Sequence, residues 1–272
     1  MPLTDEFLAR CGQIQDRGMG TENASHLLYA MVRMRRPRAV LAVGLGYSTL
    51  FILKALADNV ADQRYDTAVL SGAIDDPIRQ ELLLPYTDDL DDSVPLLYGI
   101  DDGSEGFDRI EAWHRCVEDT GLSRHVRFYN QRYQDFCLDA LESPVEFLWL
   151  DCGHQLDYPN LMNKFWPVLR EDNGLCAVHY TYVDIDLHYD GTRRNVIIGG
   201  APLNAMRRQL FGLDSRARFE LLSIVEPYKR RQGSVTLLRK FGDEDACREA
   251  QLGDEMVALY GASGVDLNDL NC

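Results

Sequence analysis

Short apolar runs alternate with amphipathic stretches over the first 180 residues of the chain. The apolar runs predict buried strands, at 39–44, 96–101, 125–130, 145–151 and 174–180. The stretches between them place apolar residues at helical spacing and predict helices, at 23–36, 45–57, 104–122, 133–142 and 158–171. Strands that alternate with helices in this way form a parallel, doubly wound α/β sheet, whose ligands bind beyond the carboxyl ends of the strands.

The pattern changes after the fifth strand. Residues 181–200 are polar and contain glycine, which predicts a long loop, and a helix is expected at 201–212. Two β-rich runs, at 219–225 and 233–240, are joined by a short turn and should pair antiparallel. The predicted fold is therefore an α/β, doubly wound, Rossmann-like sheet of seven strands, mostly parallel, with an antiparallel terminal strand pair.

The second strand has two candidates, at 67–72 and at 96–101, and we favour the later one. Residues 59–95 then form an insertion, which either covers the site or builds a contact in a homodimer. Four of its five residues at 88–92 are Asp, which is typical of a solvated surface. The chain accordingly divides into an N-terminal helical segment, a sheet domain and an acidic C-terminal tail, at 1–37, 38–240 and 241–272.

The composition limits the partners of the chain. Among 272 residues, 28 Lys and Arg stand against 43 Asp and Glu, which gives a formal net charge of −15. This charge repels nucleic-acid backbones and anionic membrane surfaces, so a small molecule is the expected substrate. No stretch is apolar enough to span a membrane, no secretion signal is recognised, and the seven cysteines include no C-x-x-C pair. A cytoplasmic location is therefore expected.

A glycine turn follows the first predicted strand, in the sequence Gly44-Leu45-Gly46-Tyr47-Ser48. Glycines at this place let the backbone turn sharply, and the free amides at the start of the next helix favour a carboxylate or a phosphate. The third glycine of the dinucleotide fingerprint is replaced by Thr49, which argues against NAD or FAD.

Acidic residues follow the second predicted strand. An acidic side chain at this place can accept hydrogen bonds from ribose hydroxyls, which makes Asp101 a candidate cofactor contact. Asp102 is a second candidate, although with Ser104 it is also typical of a cap on the following helix.

Candidate catalytic residues follow the fourth and fifth strands. Asp151 and His154 come directly after the most apolar strand, and His179 ends the next one. An imidazole titrates near neutral pH and suits a general base, and a nearby carboxylate can orient it. Farther along the chain, three basic residues could meet a substrate carboxylate: Arg193, Arg194 and Lys229.

Several motifs in register resemble class I S-adenosylmethionine-dependent methyltransferases. The run VLAVGLGYSTLFILKAL resembles their first motif, and LYGIDDGSEGFDRIEAWHRCVEDTGLSRHVRFYNQ resembles their second strand, its helix and the third strand. FLWLDCGH and NGLCAVHY fit the fourth and fifth strands in the style of small-molecule O-methyltransferases of the macrocin type. The resemblance covers about residues 23–240 and implies that the sheet domain is a methyltransferase domain.

The resemblance also implies a site for S-adenosylmethionine. The glycine turn would contact the methionine part of the cofactor, the acids after the second strand its ribose, and residues just past the third strand its adenine. The implied cofactor-binding residues are Gly44, Gly46, Tyr47, Ser48, Asp101, Asp102, Gln131, Tyr133 and Asp151.

Two departures from the family pattern bear on the chemistry. The acidic residue that usually stands in the first strand is Ala42 here, so one contact near the amino end of the cofactor is missing or comes from elsewhere. Metal-dependent relatives carry Asp-Asp or Asp-Asn after the fifth strand, where this chain has His179-Tyr180. An all-oxygen magnesium site is therefore not expected. A divalent metal, if one binds, would be held by Asp151 and His179 and would be a softer transition metal.

The hypothesis from the sequence is a methyltransferase that moves a methyl group to an oxygen, rather than a nitrogen, of a small molecule in specialised metabolism. His154 is the predicted base, His179 a substrate or metal contact, and Asp151 the residue that orients an imidazole or holds an ion. One alternative is a nucleotide-dependent Rossmann oxidoreductase. The other is a catalytically degenerate partner subunit that binds the cofactor or nothing, which Ala42 and the altered end of the fifth strand favour.

Overall fold

A computed structural model describes most of the predicted sheet domain. Its described residues are 3–15, 20–83, 93–104, 106–152, 157–200, 203–204, 208, 218–226 and 234–241. Within these ranges, no helix combines the length and the apolar character that a membrane crossing requires. The predicted helix at 201–212 lies mostly outside the described residues, and the C-terminal tail after Phe241 lies entirely outside them.

The strands form one large sheet and one separate hairpin. In chain order they are β1 (Ala39–Val43), β2 (Leu96–Asp101), β3 (Val126–Asn130), β4 (Phe147–Leu150), β5 (Leu175–His179), β6 (Tyr182–Tyr189), β7 (Thr192–Gly199), β8 (Arg218–Ile224) and β9 (Val235–Phe241). The large sheet has seven strands in the order β3-β2-β1-β4-β5-β9-β8. Its first five strands are parallel, and β9 pairs antiparallel with both β5 and β8. The predicted fold class is therefore confirmed.

Helices cover both faces of this sheet. They are α1 (Asp5–Cys11), α2 (Glu22–Arg35), α3 (Tyr47–Leu70), α4 (Pro77–Leu82), α5 (Phe107–Asp119) and α6 (Tyr158–Phe165). Because every residue of β1 and β4 is buried between the helical layers, these strands read as continuous apolar runs. The strand order reverses between β1 and β4, which opens a crevice at the carboxyl ends of both strands.

Helix α3 is longer than the sequence pattern predicts. It continues to Leu70, so residues 59–70 of the predicted insertion belong to this helix, and the rejected strand at 67–72 is its last turn. The choice of 96–101 as the second strand is confirmed. The Asp-rich residues at 88–92 lie outside the described residues.

Polar contacts with α2 explain why the second half of α3 remains helical. The hydroxyl of Tyr29 donates to Asp58 over 2.8 Å, and the guanidinium of Arg33 lies 2.6 Å from the carboxylate of Asp62. The apolar residues at helical spacing end in this half of α3, because Asp58 and Asp62 contact α2 through polar and charged groups and not through apolar packing.

The helix predicted at 133–142 is wrong. The chain forms two short 3-10 helices instead, Tyr133–Asp135 and Leu138–Ala140. Phe136 and Cys137 between them are extended, and the buried ring of Phe136 packs on that of Tyr129 with 5.0 Å between centroids. Insertion of this ring into the core therefore overrides the local helical spacing.

The long loop predicted at 181–200 is also wrong. Strands β6 and β7 pair antiparallel along their whole length, from Tyr182 opposite Gly199 to Tyr189 opposite Thr192. Asp190 and Gly191 join them with positive φ angles of 46° and 74°, as a two-residue hairpin turn requires. The Asp-Gly pair after the alternating sequence VDIDLHY was a signal that could have predicted this hairpin.

The start of α3 is closed by a threonine where the dinucleotide fingerprint has its third glycine. The hydroxyl of Thr49 donates to the carbonyl of Gly46 over 2.8 Å and accepts from its amide over 3.1 Å. The indole of Trp113 also donates to this hydroxyl over 2.9 Å. The one donor and the two acceptor positions of the Thr49 hydroxyl are therefore all used. The bond from Trp113 also joins the start of α3 to α5.

We expect Thr49→Val to lower the free energy of unfolding by about 2–3 kcal/mol, because it leaves the buried indole and the Gly46 backbone without their partner. Urea denaturation measures this loss. Thr67→Val is the matched control, since the Thr67 residue is exposed and its hydroxyl donates to the Gln63 carbonyl of its own helix. A loss of equal size in the two variants would contradict the role given to Thr49.

Candidate functional site

One cleft opens at the carboxyl ends of β1, β2 and β4, where the strand order reverses. It encloses about 780 Å³, counting the part open to solvent. Six of the predicted site residues line it: Gly44, Asp101, Asp102, Gln131, Tyr133 and Asp151.

The turn after β1 needs a glycine at its first position. Gly44 has a φ of +88°, and a Cβ on it would stand 1.9 Å from the carbonyl oxygen of Asp151. The amide of Asp151 in turn donates to the Val43 carbonyl over 2.9 Å. The ends of β1 and β4 therefore approach more closely than any side chain at position 44 would allow.

Asp101 ties the glycine turn to the end of β2. Its carboxylate accepts hydrogen bonds from the amide of Leu45 over 2.7 Å and from the amide of Gly103 over 2.9 Å. Each carboxylate oxygen keeps further acceptor capacity on the side of the cleft. Asp101 is thus fixed where a ribose contact was predicted, and it also shapes the turn.

Asp102 lines the cleft, but the predicted cap by Asp102 and Ser104 is wrong, because the N-cap of α5 is Gly106 and no side chain caps this helix. Its carboxylate accepts from the amide of Ser104 over 3.0 Å, just before α5. The pKa of Asp102 lies below its usual value, mainly because the hydroxyl and amide of Ser104 bond to its ionised form, with a smaller contribution from the charge of Arg132. The bond to Ser104 therefore belongs to the turn before α5, and Asp102 remains at the cleft.

Asp151 is held by two side chains behind the cleft. One oxygen lies 2.8 Å from Nδ1 of His179, and the other accepts from the hydroxyl of Ser48 over 3.3 Å. The Ser48 hydroxyl accepts in turn from the indole of Trp149 over 3.2 Å. A chain of hydrogen bonds thus fixes the carboxylate at the edge of the cleft.

The charges of this pair stabilise each other. Burial alone would raise the pKa of Asp151, but the His179 imidazolium, the Arg109 guanidinium and the Ser48 hydroxyl lower it below its usual value. Burial alone would lower the pKa of His179, yet the carboxylate of Asp151 raises it above the ordinary value. The pair is therefore an ion pair at mildly acidic pH.

His179 lies behind Asp151 and does not line the cleft. Only 4% of its surface is exposed, and a hydrogen bond with the backbone of Gly20 helps the Asp151 carboxylate to raise its pKa. Its ring packs against Trp149, with 5.8 Å between centroids. This position suits a residue that orients Asp151 better than the substrate or metal contact predicted from the sequence.

The other predicted residues are placed as follows. Ser48 is buried beneath Asp151, and the ring of Tyr47 packs on Phe51 with 4.9 Å between centroids, so neither lines the cleft. The guanidinium of Arg109 lies above Gly46. Arg193 and Arg194 lie in β7. Two predicted residues fall outside the described residues: His154 and Lys229.

Sequence reasoning missed two arginines of the cleft, Arg109 and Arg132. Arg109 lies in the first turn of α5, and Arg132 follows β3. The sequence offered one signal, because both arginines lie close to a strand end or in the helix that follows it. Whether such a side chain extends into the cleft, however, cannot be predicted from the spacing of residues along the chain.

The donor groups around Asp151 do not fit a divalent metal. Within the described part of the chain, no three side chains of His, Cys, Asp or Glu come together in a way that could hold an ion. Both oxygens of Asp151 already accept hydrogen bonds, and the adjacent imidazolium repels a second cation.

We expect Gly44→Ala to destabilise the protein more than Gly72→Ala, by about 1–3 kcal/mol or more, in urea denaturation. Both glycines have positive φ, of +88° and +75°, so both substitutions strain the backbone. Only at Gly44 would the new methyl group meet a backbone carbonyl, because no atom lies within 4 Å of a Cβ on Gly72. Equal losses would show that the close approach to Asp151 is not what requires glycine.

The ion pair predicts how stability depends on pH. Because the pKa of His179 is raised from 6.5, its contribution is present below pH 6.5 and is lost as the pH rises through the raised value. Because the pKa of Asp151 is lowered from 3.8, its contribution is present above pH 3.8 and is lost as the pH falls through the lowered value.

Wild type should therefore exceed Asp151→Asn in unfolding free energy by the largest margin between about pH 4 and 6.5, by about 3–5 kcal/mol. The margin should shrink at higher pH. Urea denaturation of both proteins across this range measures it, and a margin independent of pH would contradict the ion pair.

Comparison with known proteins agrees with the fold. A family model described as a methyltransferase domain matches residues 41–181, more than half of the chain. No curated protein matches the sequence. The match does not favour the alternative of a nucleotide-dependent oxidoreductase.

Several solved structures share the fold at low sequence identity. The O-methyltransferase TomG from Streptomyces achromogenes, involved in tomaymycin synthesis and solved with S-adenosylmethionine, is 16% identical with a TM-score of 0.54, over 88% of this chain and 91% of that chain. The O-methyltransferase from Bacillus cereus, solved with S-adenosylhomocysteine, is 12% identical with a TM-score of 0.51, over 88% and 92%. The methyltransferase PaMTH1 from Podospora anserina, also bound to S-adenosylhomocysteine, is 13% identical with a TM-score of 0.52, over 88% and 89%. From the matched family model and the seven-stranded sheet, the chain belongs to the methyltransferase-domain family.

Proposed function

We propose that the chain transfers the methyl group of S-adenosylmethionine to an oxygen atom of a small molecule in specialised metabolism. The observation that carries this proposal is that the glycine turn, Asp101 and Asp151 line one cleft, with His179 holding Asp151 from behind. TomG, a structural neighbour that acts in tomaymycin synthesis, supports the class of reaction.

The walls of the cleft carry groups that suit the parts of the cofactor. Gly44 lines the cleft without a side chain, so a ligand can lie against the backbone of the turn. Asp101 presents acceptor oxygens for ribose hydroxyls at the end of β2, and Gln131 and Tyr133 line the part beyond β3 where adenine is expected. The bound cofactor would supply an electrophilic methyl group on a sulfonium.

The acceptor is proposed to be a small molecule because of charge. The net charge of −15 repels a nucleic acid, whose phosphates require cationic contacts. Methyl transfer requires the acceptor atom to lie about 3 Å from the methyl carbon, so positioning by the cleft supplies much of the rate.

The chain must also remove a proton from the acceptor hydroxyl. His154 follows Asp151 by three residues in the sequence, and we propose it as the base. His179 is proposed to act indirectly, because it fixes the ionised carboxylate of Asp151 from behind. No divalent metal takes part in the proposed steps, since the donor groups around Asp151 do not fit one.

Cofactor binding is tested by thermal unfolding with S-adenosylmethionine, S-adenosylhomocysteine and NADH. A ligand at about 100 times its dissociation constant should raise the melting temperature by about 5–10 °C. We expect this shift with the two adenosyl sulfur compounds and no shift with NADH. A shift with NADH alone would overturn the proposal, and no shift with any ligand would favour the partner-subunit alternative.

The acceptor class is tested by the release of S-adenosylhomocysteine with panels of hydroxylated small molecules, amines and structured RNA. Release with hydroxylated compounds only is the expected result. Release with RNA only would exclude a small-molecule enzyme, and release with amines only would make the reaction an N-methylation.

The roles of the two histidines are separated by His154→Ala and His179→Gln. Loss of a general base should lower kcat about 10²–10⁴-fold in His154→Ala, with the affinity for S-adenosylhomocysteine unchanged. His179→Gln should lower both stability and kcat, because Asp151 loses its partner. Unchanged turnover in His154→Ala would exclude it as the base.

A further inference from the structure

We propose that Cys11 and Cys116 form a disulfide when the protein meets hydrogen peroxide, and that this bond cross-links α1 to α5. The pair would then be an oxidative modification site. Neither residue lines the cleft. The inference is therefore independent of the proposed function, because it concerns the packing of two helices and not the ligand of the cleft.

The two thiols come from helices that are far apart in the sequence and adjacent in the fold. Cys11 is the last residue of α1, and Cys116 lies in the last turn of α5. The thiol of Cys11 donates a hydrogen bond to the sulfur of Cys116. Both residues belong to the same apolar core, with 0% and 6% of their surfaces exposed. The two sulfur atoms are therefore in contact before any oxidation.

A second contact beside the thiols joins the same two helices. The guanidinium of Arg10 donates to the backbone carbonyl of Asp119 over 3.0 Å and lies 4.0 Å from its carboxylate. Arg10 precedes Cys11 by one residue. Asp119 follows Cys116 by three residues, which places both on the same side of α5. The position of the thiols thus follows from the way α1 packs on α5.

The surroundings of the two thiols make them chemically unequal. The hydrogen bond from Cys11 is the main reason why the pKa of Cys116 lies below its usual value, and the charge of Arg10 lowers it further, against the effects of burial and of Asp119. The same hydrogen bond, followed by burial, raises the pKa of Cys11. Because the thiolate is the nucleophile, Cys116 reacts first with the peroxide and Cys11 reacts second.

The oxidation proceeds in two steps whose atoms and electrons balance. The Cys116 thiolate attacks one oxygen of hydrogen peroxide, the O–O bond breaks, and Cys116 becomes a sulfenic acid. The other oxygen leaves as hydroxide and becomes water with the proton that the Cys116 thiol had released. The Cys11 sulfur then attacks the Cys116 sulfur, the S–O bond breaks, and a second water leaves with the proton of Cys11. The two thiols together lose two electrons, and the peroxide gains them.

Local opening of α1 gives the peroxide access to Cys116. This helix has seven residues, of which Phe7 and Cys11 are buried. The ring of Phe7 packs on that of Phe51 with 5.5 Å between centroids. A short helix that is held by few buried side chains opens at a low cost in free energy. Each opening exposes Cys116, and the return of α1 brings Cys11 onto the oxidised sulfur.

Peptide mapping of the full chain after hydrogen peroxide treatment tests the assignment. Tryptic cleavage at arginines releases residues 11–17 and 116–124, and each of these peptides contains one cysteine. After alkylation of the remaining thiols, we expect the two peptides to be joined, at their summed mass less two hydrogens, as the main disulfide product of the folded protein. A thiol reductant should separate them again.

Thermal unfolding of the oxidised and reduced proteins tests whether the bond cross-links the helices. A disulfide between residues so far apart restricts the unfolded chain strongly, so oxidation should raise the melting temperature by about 5–15 °C. Cys116→Ala should show no such rise and no joined peptide. Cys176→Ala is the matched control and should keep both, because the buried Cys176 sulfur lies 4.0 Å from the thioether of Met162, which forms no disulfide.

Other outcomes would overturn the assignment. In the wild type, they are a map in which Cys11 pairs mainly with another cysteine, or one in which both thiols stay reduced while the exposed Cys137 is oxidised. A joined peptide that forms equally well in urea-unfolded protein would overturn it too, because the folded contact would not be its cause. A joined peptide without a rise in melting temperature would exclude the cross-link between the two helices. These wild-type results decide the question even if Cys116→Ala fails to fold.

Discussion

The approach of Gly44 to the carbonyl of Asp151 is the contact on which the candidate site depends. It brings the ends of β1 and β4 together at the point where the strand order reverses. The turn that follows then directs the Leu45 amide onto the carboxylate of Asp101 at the end of β2. One missing side chain thus sets the relative positions of two carboxylates that come from different strands, and these carboxylates face the same cleft.

The first turn of α3 makes this arrangement rigid through two adjacent hydroxyls. Thr49 closes the helix start and receives the indole of Trp113, whereas Ser48 receives the indole of Trp149 and donates to Asp151. Buried indole donors need acceptors, and a hydroxyl can accept and donate at once. The same two side chains that satisfy the core therefore also fix the edge of the sheet that lines the cleft, so packing and site geometry are not independent here.

The fold was largely predictable because buried parallel strands produce unbroken apolar runs, as in β1 and β4. Local spacing failed where a distant contact decides the conformation, as when the ring of Phe136 enters the core. For the site, strand ends located Asp101, Asp151 and His179 because topology brings such ends together. The inward turn of Ser48 depends on an indole 101 residues away, and the reach of Arg109 depends on where α5 begins, so neither could follow from spacing.

The pairing of Asp151 with His179 also has a chemical consequence under the proposed function. A sulfonium loses its positive charge as its methyl group leaves, so a bare carboxylate beside it would stabilise the bound cofactor more than the transition state. The buried imidazolium offsets much of the charge of Asp151 while the hydrogen bond keeps its oxygens in place. The chain thereby retains the hydrogen-bonding oxygens at the cleft edge and reduces the electrostatic barrier that an unpaired carboxylate would add.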